Sequence, residues 1–86
     1  MNTTEALRAI IADTGESNRV ISARMNRSGN YVTSLLRQAE RMGADMNAST
    51  VAGIAAACGY ALVLVPVGKV DGDMLVIDPP SKEVGR

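Results

Sequence analysis

Eighty-six residues, with nine basic and nine acidic side chains, no histidine and one cysteine, leave room for a single domain that buries only about 60% of its unfolded surface. One thiol and no imidazole exclude an intramolecular disulfide, a Cys/His zinc set and an imidazole general base. Two tyrosines, with neither Phe nor Trp, mean a core of Leu, Ile, Val, Met and Ala, which favours closely packed helices.

Leu7, Ile10, Ile11 and Thr14 repeat at i, i+3, i+4 and i+7, so the first helix is expected there, capped by Asn2, Thr3 or Thr4 and stopped by Gly15. Ser17 is suited to cap a second, short helix that turns Ile21 and Met25 inward and ends near Met25. Asn26 follows, and Asn is one of the few side-chain-bearing residues that tolerate the left-handed conformation of a tight turn. Ser28 is the expected cap of a third helix over 28–42, with Val32, Leu35, Leu36 and Ala39 inward and Gly43 as its stop. Asp45 to Asn47 read as a connection. Asn47 or Ser49 then caps a fourth helix that buries Val51, Ile54, Ala55 and Cys58 and closes at Gly59.

From Tyr60 the pattern changes. Ala61 to Val65 form an apolar, β-branched run, with Pro66 marking an edge strand. A second short run from Met74 to Ile77 follows the turn residues Asp71 and Gly72, so a β-hairpin is expected. Three regions result: helices over 1–59, a hairpin over 60–78, and a frayed tail over 79–86 that starts at Pro79 and Pro80. No stretch at the N-terminus reads as a signal peptide, and Tyr60 to Val67 is far shorter than the roughly 20 residues that span a bilayer. A soluble, cytoplasmic protein of bacterial or phage origin is expected.

The zero net charge hides a gradient. Between Ser17 and Arg41 lie Arg19, Arg24, Arg27, Arg37 and Arg41 against Glu40 alone, whereas both flanks are acidic. Arginine presents a planar fork of donors that matches phosphate and guanine edges, so a segment basic through arginine alone points to nucleic acid. Arg24 and Arg41 read more simply as solvated surface groups. Cys58, on an apolar face, reads as a small core residue, and Met25, Met42 and Met46 as gap fillers. Asp71 and Asp73 are better explained as a solvated hairpin tip than as a catalytic carboxylate pair. No nucleophile–base pair, metal set or phosphate loop is present, so neither an enzyme nor a cofactor is expected.

The segment SNRVISARMNRSGNYVTSLL resembles the helix-turn-helix of the Cro and phage-repressor-like (XRE-type) family. That pattern runs Ser or Thr, Gln, Leu-Ala, a turn Gly, Val-Ser, then Ile or Val before Ser. Here the places hold Ser17, Asn18, Ile21, Ser22, Asn26, Arg27, Ser28, Val32 and Thr33. The likeness extends from the first helix to Val65, about three quarters of the chain. It implies a mostly α, four- to five-helix, lambda-repressor-like domain with a short C-terminal β-hairpin. It departs from the family where Ser22 replaces Ala, Asn26 replaces Gly, and Gly29 replaces a base-reading Gln.

What the resemblance implies is a sequence-specific, repressor-like transcriptional regulator that reads the major groove with the third helix. Arg27, Asn30, Thr33, Ser34 and Arg37 would face base edges, and Ser17, Asn18, Arg19, Ser28 and Tyr31 would hold phosphates. Family members of this size act as twofold dimers on double-stranded operators with two half-sites about 34 Å apart. Leu62, Leu64, Val65, Val67, Leu75 and Ile77 of the hairpin are the expected dimer contacts. The rival expectation is an antitoxin-type module whose main partner is a protein toxin.

Overall fold

A computed structural model describes residues 1–43 and 46–78; Asp45 and the tail from Pro79 onward lie outside the described residues. Its framework is four α-helices: α1 (Thr3–Thr14), α2 (Asn18–Arg24), α3 (Tyr31–Met42) and α4 (Ala48–Ala57). Helix α2 packs chiefly on α3, while α4 lies against both α1 and α2, and α1 also meets α3. The chain is therefore mostly helical, and none of the helices among the described residues is long and apolar enough to cross a membrane.

The starts of α1, α2 and α4 are each set by a short polar side chain. Asn2 accepts from the Glu5 amide while Glu5 accepts from the Asn2 amide, both at 2.8 Å, a reciprocal capping box. Ser17 accepts from Val20 N at 3.3 Å, and Asn47 from Thr50 N at 2.8 Å. Gly15 and Gly43 end α1 and α3 with φ of 71° and 63°, a left-handed conformation that costs little only without a Cβ. Asn26 adopts the same region after α2, at φ 57°.

The core is Leu7, Ile10, Ile11, Ile21, Val32, Leu36, Val51, Ile54, Ala55 and Cys58, with Met25, Tyr31, Leu35 and Met46 packed around it. Burial pushes the Cys58 thiol pKa up, as a thiolate there would lose its hydration. Met42 is not a gap filler: it is 65% exposed, because it is the last residue of α3.

The third helix starts later than expected. Its N-cap position is Asn30, not Ser28, and six residues rather than three or four separate α2 from α3. The cause is a turn closed by Tyr31 N donating to Ser28 O at 3.1 Å, while the Ser28 hydroxyl bonds Asn30 Oδ1 at 3.0 Å instead of a helix amide.

Beyond Gly59 no β-strand forms among the described residues, so the hairpin expected over 60–78 is absent from this chain's described fold. A 3-10 turn at Val67–Lys69 and a turn held by Asp71 occupy the middle of the segment. The second apolar run meets the N-terminus instead: Asp78 N donates to Met1 O at 2.9 Å, and the Met1 ammonium reaches Val76 O and the Asp78 carboxylate. Two strands alone are marginal in water, and among the described residues no helix packs over this segment. Leu62, Leu64, Val65, Val67, Leu75 and Ile77 are all exposed, Leu64 completely.

Candidate nucleic-acid interface

Helix α3 has two opposed faces. Val32, Leu36 and Ala39 are buried against the core. Asn30, Thr33, Ser34, Arg37 and Arg41 recur at helical spacing on the other side. All of these outer residues are exposed except Thr33, which is half-buried. Four of the five residues expected to read bases thus share one face, and the fifth, Arg27, lies in the preceding turn.

Ser22 fixes α2 against α3. It is fully buried, donates to Asn18 O at 2.8 Å and accepts from Val32 N at 3.0 Å. The Ser22 hydroxyl therefore has a partner on each side. Across the same junction Asn18 Nδ2 donates to Thr33 Oγ1 at 3.0 Å. This bond joins an expected phosphate contact to an expected base contact, and it leaves the Thr33 O–H and the Asn18 Oδ1 without a partner among the described residues.

The other expected phosphate contacts divide. Ser17 is occupied as the α2 cap, with its hydroxyl proton still available. Ser28 donates to Asn30 and so holds the Asn30 amide, leaving that side chain's NH₂ outward. Tyr31 packs its ring on the core and carries Arg27 above it, with the guanidinium carbon 4.9 Å from the ring centroid. That cation–π contact limits the arcs Arg27 can sweep. Arg19 lies across Gly29 in the turn before α3.

Ion pairing sorts the arginines in a way that sequence spacing does not reveal. Arg8 on α1 grips Glu40 on α3 through two 2.8 Å hydrogen bonds. These bonds lower the Glu40 pKa and raise that of Arg8. Arg24 binds Glu16 at 2.5 Å and Ala57 O at 3.0 Å, tying the end of α2 to the last turn of α4. Both acids nearest the basic segment are thus engaged, and Arg24 is a structural clip rather than a merely solvated group. Arg19, Arg27, Arg37 and Arg41 have no carboxylate partner among the described residues. Neither pairing left a signal in the sequence, since the partners stand 32 and 8 positions apart.

Away from this face, Tyr60 donates to Asp13 at 2.9 Å, which raises the phenol pKa. The exposed dimer candidates sit in the following segment. Compared with protein-family models, with curated proteins and with solved structures, the chain matches none.

Proposed function

We propose that this chain is a sequence-specific DNA-binding transcriptional regulator of the repressor type, lambda-repressor-like in its helical part, which lays α3 in the major groove. The observation that supports it most is the pairing pattern of the arginines. Those on the outside of α3 and in the turn before it have no carboxylate partner among the described residues, while Arg8 and Arg24, elsewhere, are neutralised. Unpaired guanidinium groups beside outward amides and hydroxyls combine phosphate attraction with base-edge donors and acceptors.

One such face carries few charges, so useful affinity needs two of them. We assign the pairing to residues 60–78 of two copies, whose exposed apolar runs would close as the hairpin once a second chain supplies the missing cover. A protein toxin as main partner is the second reading, and it draws on the same exposed apolar residues.

The test is selection of bound sites from random duplexes, followed by salt titration of wild type and Arg37→Ala. Enrichment of a two-half-site sequence, with a steep salt dependence weakened by the substitution, supports the proposal. No enriched site at any salt, together with stoichiometric co-purification of one toxic protein, favours the second reading.

A further inference from the structure

Gly29 leaves a space that another side chain fills. Its φ is not positive, unlike those of Gly15, Gly43 and Gly59, so the backbone would accept a side chain there. What a side chain there would meet is Arg19: a Cβ on residue 29 would stand 2.5 Å from Arg19 Nη1, 3.0 Å from its Cζ and 3.3 Å from its Cγ, so the arginine would have to move. Around Gly15, Gly43 and Gly59 a Cβ would meet nothing within 4 Å. The arginine of α2 therefore occupies the place that a side chain at the entry to α3 would fill. It is exposed there and has no carboxylate partner among the described residues.

Resting on the DNA-binding reading above, we infer that Arg19 is a specificity-determining residue, carried on α2 but delivered to the tip of α3 through the gap at Gly29, where it contacts a guanine edge rather than a phosphate. If α3 enters the groove by its N-terminal end, the group lying over the residue before Asn30 enters with it. A guanidinium fork offers two parallel donors, which fit the O6 and N7 acceptors of guanine in the major groove. Lysine at the same place keeps the charge but not the fork.

The experiment compares sites selected from random duplexes by wild type, Arg19→Ala, Arg19→Lys and Gly29→Ala, with far-UV circular dichroism melts of each. Arg19→Ala is expected to lose about tenfold of the preference for guanine at one position per half-site. Arg19→Lys should keep the salt dependence of wild type yet lose the same preference. Gly29→Ala should relax that position too, because its methyl displaces the Arg19 side chain, and should leave the melt unchanged, because that side chain is exposed and free to turn aside. A uniform loss of affinity with an unaltered consensus would overturn the assignment and return Arg19 to a phosphate. A Gly29→Ala protein that keeps the guanine preference would overturn the role of the gap. Failure of wild type to enrich any sequence would instead remove the DNA-binding reading itself, and this inference with it.

Discussion

The hydroxyl of Ser22 accepts from the amide of Val32 at 3.0 Å, in a place where both residues are fully buried. The first amides of a helix have no partner within it, and this one is cut off from water, so a side chain from the preceding helix takes that role. Ser22→Ala keeps the volume nearly constant but strands the Val32 N–H. A loss of about 1–3 kcal/mol is expected in urea unfolding, the penalty of a buried donor left unpaired. An unchanged midpoint and slope would show that the bond contributes nothing.

Arg24 and Arg37 separate structure from binding. Arg24→Ala removes the links to Glu16 and to the end of α4, so its melting temperature should fall while the salt dependence of duplex binding stays as in wild type. Arg37→Ala should do the reverse, with an unaltered melt and a salt slope smaller by about one if it neutralises a phosphate. Equal effects of the two on binding would contradict the division of the arginines drawn from their ion pairs.

The Arg8–Glu40 pair gives a pH signature. Its hydrogen bonds hold the Glu40 carboxyl below the ordinary range, so the folded state binds that proton less readily than the unfolded chain does. The stabilisation is complete above the ordinary carboxylate pKa and is lost as pH falls through the lowered one. Glu40→Gln should therefore melt slightly earlier than wild type at neutral pH, with the gap closing in acid and shrinking in salt. A gap that persists below the lowered pKa would rule out this origin.

For residues 60–78 the expected behaviour is self-association. Wild type should sediment as a dimer at micromolar concentration, and Leu64→Asp combined with Leu75→Asp should shift it to monomer without unfolding α1 to α4. Leu64 is fully exposed and Leu75 46% exposed in the single chain, and neither belongs to the core of α1 to α4, so that core keeps its packing. A wild type that stays monomeric at those concentrations refutes the dimer assignment.

What the sequence made legible was local. Asn2, Ser17 and Asn47 start helices because a short acceptor side chain can reach an amide two or three positions on, and the apolar spacing of Leu7, Ile10 and Ile11 needs no tertiary information. Ser28 misled because a good cap residue need not cap: the Ser28–Tyr31 turn delays the helix to Asn30, and neither side chain accepts from a helix amide. The hairpin does not form among the described residues for a different reason: β-branched composition describes a surface that pairs well, whereas pairing itself depends on what lies beside it. At the interface, the helical face of Asn30, Thr33, Ser34 and Arg37 followed from spacing. The seating of Arg19 on Gly29 and the capture of Glu40 by Arg8 depend on how the helices cross.

The left-handed residues Gly15, Asn26, Gly43 and Gly59 each follow a helix of only 7 to 12 residues. Every reversal of direction is thus set within a few bonds of itself, before any distant segment has to be found. A topology dominated by such near-neighbour contacts is expected to fold in roughly microseconds to milliseconds. The proposed docking of two 60–78 segments, by contrast, would wait on encounter between molecules and slow with dilution. The helical unit would then be complete early and assembly late, so the cellular concentration of the chain would set the pace of the final step.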